Sequence, residues 1–272
     1  MTTQTQGSYD SAAHSDLDRE LARLRNQVLI GWNNESRNLS WFGLRDGMSV
    51  LEVGSGPGFV TEQLLSLVPK GSVTSVELDP VFIQKAEQYL VGRGGERWRA
   101  VNASVVDTRL PDNSFDFAVA RFVFQHLPDP IAAAREIRRV LKPGGKLVIT
   151  DSDDAVWGLF APAIPEVTTL LERRAGLQGA RGGNRYVGRD LWRILQDAGF
   201  NDIKLEMVCV HSDEVGVETL APQIDPVRLV PLLEAKVITQ EELEAVKVGT
   251  RRFLNEPRPI IMMLMLMSCG SK

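Results

Sequence analysis

From residue 15 to about residue 38, apolar side chains recur at three- and four-residue spacing, with Leu17, Leu21, Leu24, Val28 and Leu29 on one stripe. That period predicts an amphipathic helix, with Ser15 as its N-cap and Asp16 and Asp18 in its first turn. After the turn signal Arg45-Asp46-Gly47 the pattern changes to short, nearly continuous apolar runs at 48–53, 72–78, 98–102, 115–120 and 146–150. Runs of this length, rich in Val and Ile, suit strands buried on both faces. Residues 59–67, 80–90 and 131–141 between them carry helical periodicity, and strand alternating with helix at this spacing predicts a doubly wound α/β sheet. Beyond Asp151 the order loosens into helices at about 165–177 and 190–198, a strand at 203–211, a largely helical insertion from 212 to about 255 and a last strand at 260–267. The pattern divides the chain into an N-terminal tail and helical lid (1–45), a ligand-binding core (46–151) and the remainder of the sheet with substrate-binding helical insertions (152–272).

Composition narrows the classes of function. The chain has 272 residues, 43 % of them hydrophobic and 24 % charged, which is ordinary for a globular protein. Thirty-one Lys and Arg against 35 Asp and Glu leave a net charge of −4, so no basic field exists to hold nucleic acid. Cys209 and Cys269 have neither disulfide-scaffold nor metal spacing, which suits a reducing, cytoplasmic location. The longest apolar run, at 260–267, is far short of a bilayer span, so no membrane partner is expected. His14, His126 and His211 stand far apart and no metal is expected; Asp151, Asp153 and Asp154 read as solvated or capping carboxylates.

Candidate chemistry gathers where the first strand meets its helix. Glu52-Val53-Gly54-Ser55-Gly56-Pro57-Gly58 lets a ligand approach bare backbone amides at a helix N-terminus. A dinucleotide fingerprint places its third glycine one residue later, which weakens a hydride-transfer reading. Glu77 ends the second strand, where a carboxylate accepts from two ribose hydroxyls, and Leu78 is then placed against a purine.

These residues resemble the class I S-adenosylmethionine-dependent methyltransferases. Residues 52–58 look like the family's first motif, Glu77 like its ribose-binding acid, Leu110-Pro-Asp-Asn-Ser-Phe-Asp116 like the segment entering strand four, and Arg139-Val-Leu-Lys-Pro-Gly-Gly-Lys146 like the turn before strand five. The resemblance covers roughly residues 46–151, and the whole chain is similar to small-molecule methyltransferases of bacterial natural-product pathways. It implies a Rossmann-like seven-stranded sheet with an antiparallel last strand and a lid of N-terminal and inserted helices. It also implies S-adenosylmethionine as cofactor, held by Glu52, Gly54, Ser55, Gly56, Gly58, Glu77 and Leu78. Many relatives have an Asp-Ala pair at the adenine; here Asn102-Ala103-Ser104 stands in that place, with Asn102 and Ser104 as alternative partners. Arg121, Arg25 and Gln27 are candidates for the methionine part of the cofactor.

A small-molecule acceptor follows, aromatic or heterocyclic, methylated at oxygen, nitrogen or carbon, an indole carbon included. Trp157, Asn184, Arg185 and Tyr186 are the expected acceptor contacts, and His126, Tyr9 and His211 the candidates for catalytic roles. Nucleic acid is not an expected partner, and the protein is expected as a monomer or homodimer. Two other readings stay open: a nicotinamide-dependent oxidoreductase, and a methyltransferase-fold protein that binds without chemistry.

Overall fold

The computed structural model describes Tyr9, Ser11 and residues 16–272. Helix α1 (Leu17–Phe42) begins at Asp16, whose carboxylate accepts from the Arg19 amide, and ends on Gly43 in the left-handed region. The N-cap is therefore Asp16; Ser15 and His14 lie outside the described residues.

The sheet follows in order. Strand β1 (Ser49–Val53), helix α2 (Phe59–Leu67), β2 (Ser72–Glu77), α3 (Pro80–Leu90), β3 (Trp98–Asn102), β4 (Phe115–Arg121), α4 (Pro130–Val140) and β5 (Leu141–Asp151) form the first half. Strand β6 (Gly158–Ala161), helices α5 (Pro165–Ala180) and α6 (Leu191–Asp197) and strand β7 (Asn201–His211) come next. Short helices α7 (Ser212–Val215), α8 (Val217–Leu220) and α9 (Val230–Glu234), then α10 (Gln240–Leu254), precede β8 (Ile260–Ser271).

The sheet runs β3-β2-β1-β4-β5-β8, with β7 on the far side of β8. Strands β1 to β5 are parallel, β8 is antiparallel to β5 and to β7, and these with β7 are the seven expected strands. An eighth was not foreseen: β6 pairs with Ile260–Met263 of β8, the end of that strand left uncovered beyond β5. Its four residues in a proline-containing stretch carry too little pattern to announce a strand. Because β8 outruns β5, the strands β6, β8 and β7 continue past the carboxyl edge of the parallel core.

Burial explains the continuous apolar runs. Val50, Phe117, Val119 and Val148 belong to a core under α1, α2 and the inserted helices, while Leu51, Val53, Ala118, Ala120, Leu147 and Ile149 belong to a second core under α4 and α6. Side chains that alternate across the pleat find apolar partners on both sides, so each central strand is apolar at nearly every position. Among the described residues no helix is long and apolar enough to cross a membrane.

Candidate active site

One cavity of about 1000 Å³ opens above the carboxyl edge of the parallel strands. Its floor is the Gly54 loop. Gly54 has a φ of 66° and donates to the Val76 carbonyl at 2.8 Å; a Cβ there would stand 2.4 Å from Val123. Gly56, with a φ of 53°, has open space where a Cβ would point, so a ligand can lie directly on its backbone. Its amide donates to Glu77 Oε2 at 2.8 Å, while Glu77 Oε1 accepts from the Leu78 and Asp79 amides at 2.8 and 2.9 Å. Burial raises the Glu77 carboxyl above its ordinary range, against the pull of these three amides. The carboxylate is thus pinned by main chain, with lone pairs left for hydroxyl donors.

Leu78, Ser55, Ala103 and Ser104 line the same cavity, as does Pro57. Four expected cofactor contacts do not: Arg25 on α1, and Glu52, Gly58 and Asn102 around the loop. Glu52 lies beneath the loop, where its Oε2 accepts from the Thr61 and Ser75 hydroxyls at 2.5 and 2.9 Å, and burial raises its carboxyl to about 7. Gly58 packs against α3: a Cβ would meet Ala86 and Leu90 at 3.1 Å. Asn102 is exposed, and its side-chain amide donates to the Glu77 and Leu78 carbonyls, bracing the turn that carries Glu77. Of the two adenine alternatives, only Ser104 faces the cavity.

Helix α1 covers the opening. Glu20, Arg23, Leu24, Gln27 and Val28 line the cavity, whereas Arg25 is exposed and stands 5.9 Å over the Tyr89 ring. Two residues turn a helix by about 200°, which carries Arg25 off the face that Arg23 occupies. Arg23 grips Glu20, and Tyr9 donates to Glu20 Oε1 at 2.6 Å. Burial and the neighbouring Glu20 push the Tyr9 hydroxyl up. Arg121, at the end of β4, is also walled in: it holds Glu35 of α1 through both Nε and Nη2 at 2.7–3.1 Å and donates to the Gln27 carbonyl at 3.1 Å. Its guanidinium faces the cavity but is taken by α1, so it fastens α1 to the sheet. Glu35 was missed in the sequence because it sits among the helix's polar positions; the spacing 20, 24, 28, 31, 35 is the signal that finds it.

The far wall comes from the inserted segments. Asp153 and Asp154, expected to be solvated or capping, are buried: Asp153 accepts from the Ala155 amide and pairs with Arg189, and Asp154 pairs with both Arg174 and Arg185. Burial works to raise the Asp154 carboxyl, but the two guanidiniums outweigh it and hold it below its usual range. Asp151 is fully buried and raised to about 7 by that burial, against the amides of Ser152 and Gln125. Among the described residues no three His, Cys, Asp or Glu side chains gather as a metal site. Trp157 and Arg185 line the cavity as expected, joined by Phe122, Gln125, Arg174 and Arg228. Asn184 and Tyr186 do not line it. The Asn184 carbonyl oxygen of the side chain accepts from the Tyr186 amide at 2.9 Å and shapes the turn, and Arg189 covers the Tyr186 ring at 5.2 Å.

Of the catalytic candidates, Tyr9 and His126 face the cavity with ring centroids 5.2 Å apart. Burial, with Arg185 and Arg23 nearby, lowers the His126 imidazole to about 3, so it is neutral at physiological pH and a weak base. His211 lies at the end of β7, paired with Met262, and does not line the cavity.

Comparison with known proteins agrees with this geometry. A family described as a methyltransferase domain matches residues 51–149. The malonyl-[acyl-carrier protein] O-methyltransferase of Paenibacillus sp. (strain JDR-2) is 30 % identical over 200 residues, covering 72 % of this chain and 68 % of that enzyme. A SAM-dependent methyltransferase from Aquifex aeolicus superimposes with a TM-score of 0.53 at 26 % identity, over 69 % of this chain and 89 % of the other. The phosphoethanolamine N-methyltransferase 2 of Haemonchus contortus, solved with S-adenosyl-L-methionine, gives a TM-score of 0.58 at 20 % identity, over 89 % of this chain and 53 % of the other. The chain spans about half the length of some other curated relatives. The chain belongs to the class I S-adenosylmethionine-dependent methyltransferases. S-adenosylmethionine is its methyl donor, which sets aside the nicotinamide reading.

Proposed function

We propose that the protein methylates a small aromatic or heterocyclic metabolite at oxygen, nitrogen or carbon, an indole carbon among the nucleophiles it suits. One observation carries this reading: the Gly54–Glu77 floor opens, within a single cavity, onto Tyr9, Phe122, His126 and Trp157. S-adenosylmethionine supplies a methyl carbon made electrophilic by a positively charged sulfur. The amides of the Gly54 loop and the Glu77 carboxylate are suited to its polar groups and ribose, Leu78, Ala103 and Ser104 to its base, and Gln27 with Arg23 to its methionine end. Arg121, already bound by Glu35, acts as a positioning residue.

The chain's own contribution to the transfer is alignment and exclusion of water. Helix α1 and the 222–234 segment close over the cavity, in keeping with a lid at 1–45 and acceptor-binding insertions in 152–272. Aromatic walls orient a flat acceptor, and Tyr9 and neutral His126 border it with a hydroxyl and an imidazole. Imidazole this weakly basic serves better to orient a nucleophile than to remove a strongly held proton. A place in a natural-product pathway belongs to the same proposal and rests on the resemblance of the 46–151 core. The test is a metabolite screen with methyl-labelled S-adenosylmethionine. Label transferred to ring-bearing acceptors supports the reading; transfer confined to acyclic acceptors, or binding of the cofactor with no transfer to any acceptor, goes against it.

A further inference from the structure

The inserted segments place an unusual concentration of positive charge in this cavity. Arg174 comes from α5, Arg185 from the loop before α6 and Arg228 from the helical turn Pro226–Leu229. Arg174 and Arg228 each stand 5.7 Å from the centroid of the Trp157 ring, and Trp157 is itself buried. Among the described residues Asp154 is the one carboxylate that forms ion pairs with these three cations. Arg174 and Arg185 share Asp154, whereas Arg228 donates only to the Gln223 carbonyl and side-chain oxygen among the described residues. Gln223 Nε2 and Arg174 Nε are buried donors without an acceptor among the described residues. Burial and the guanidiniums of Arg23, Arg174 and Arg185 lower Arg228 below the ordinary arginine range, against the pull of the Glu20 carboxylate. Unpaired buried charge and unmade hydrogen bonds are costly, and such arrangements collect at functional sites. Guanidiniums present forked donors that match planar carboxylate and phosphate oxygens.

We propose that Arg174, Arg185 and Arg228, gathered beside Trp157, form a subsite for a carboxylate or phosphate group on the methyl acceptor. The inference rests on the methyltransferase reading of the cavity and narrows its acceptor to an anionic one. The ring lies against Trp157 and the anion meets the Arg228 guanidinium, which fixes the acceptor at two points and leaves the rest of it directed by the cavity.

The test is calorimetric titration of the full chain, saturated with S-adenosylhomocysteine, using benzoate, phenyl phosphate and the neutral isostere benzamide at constant ionic strength. At least one anion is expected to bind about tenfold tighter than benzamide, and the better of the two anions tells carboxylate from phosphate. Arg228→Met is expected to lose that preference, to keep its affinity for S-adenosylhomocysteine and to melt at a higher temperature than the wild type without ligand, because a half-buried cation with no ion-paired carboxylate among the described residues has been removed. Arg174→Met serves if Arg228→Met does not fold. Equal binding of benzamide and both anions, no binding of either anion up to about 10 mM, or a preference that survives in the variants overturns the proposal. So does a loss of S-adenosylhomocysteine affinity in the variant, which would give the arginines to the cofactor. Failure of wild type to bind S-adenosylhomocysteine would instead strike the underlying methyltransferase reading.

Discussion

The floor and the lid of this cavity are made of different materials. At the floor the contacts are main chain: Gly56, Leu78 and Asp79 amides converge on one carboxylate, and Gly54 takes a backbone conformation that a side chain would obstruct. At the lid they are long charged side chains from distant segments, with α1 supplying Glu20, Arg23 and Glu35 and the insertions supplying Arg174, Arg185 and Arg228. A backbone cradle binds whatever has the right shape and changes little between related sequences. A side-chain wall can be rebuilt one residue at a time, which is where acceptor choice can diverge while the donor stays the same.

The comparison breaks most visibly at the joint between the two regions. Glu35→Ala leaves the buried Arg121 guanidinium without its carboxylate, and urea denaturation is expected to show a loss of ~3–5 kcal/mol. A loss under about 1 kcal/mol would mean that the pair does not fasten α1 to the sheet.

Next comes a pH effect beneath the floor. Glu52 is raised from 4.5 to about 7 in the folded protein, so its contribution to stability is fully present below pH 4.5 and is lost as pH rises through 7. Asp151, raised to about 7, acts in the same sense. His126, lowered to about 3, acts in the opposite sense, adding stability as pH rises from 3 to 6.5 and nothing further above that. Glu52→Gln removes one of these contributions, so the variant is expected to gain ~2–3 kcal/mol on wild type between pH 5 and pH 8. Parallel stability curves for the two proteins would contradict the assignment.

The smallest effect is expected at Asn184, which is exposed and spends its side-chain oxygen on the Tyr186 amide. Asn184→Ala should cost about 0.5–1 kcal/mol of stability and leave both cofactor affinity and acceptor kcat/KM unchanged. A rise in KM at constant kcat would return Asn184 to the acceptor site.

The same difference in material explains what could be read from the sequence. Glycine spacing, the acid at the end of β2 and runs apolar at every position are written locally, so the floor and the parallel strands were legible. Even there, Glu52, Gly58 and Asn102 were assigned to the ligand when they brace the loop from below, behind and beside. A motif gives position along the chain, whereas the direction of a side chain depends on strand alternation and on neighbours such as Ser75 and Thr61. The lid was legible as helices but not as a charge cluster, because Glu35 meets Arg121 across 86 residues and Asp154 meets Arg185 across 31. The short strand β6 was lost for a related reason: four residues gain their partner only from the overhang of β8.

The division between floor and lid is tested most directly by titrating two variants with S-adenosylmethionine side by side in the calorimeter. Glu77→Ala removes the carboxylate proposed to accept from the ribose hydroxyls and is expected to weaken binding by ~1.5–3 kcal/mol, the range for hydrogen bonds to a charged group. Arg228→Met is expected to bind S-adenosylmethionine as wild type does. Unchanged affinity in a folded Glu77→Ala protein, or an equal loss in Arg228→Met, would contradict the division.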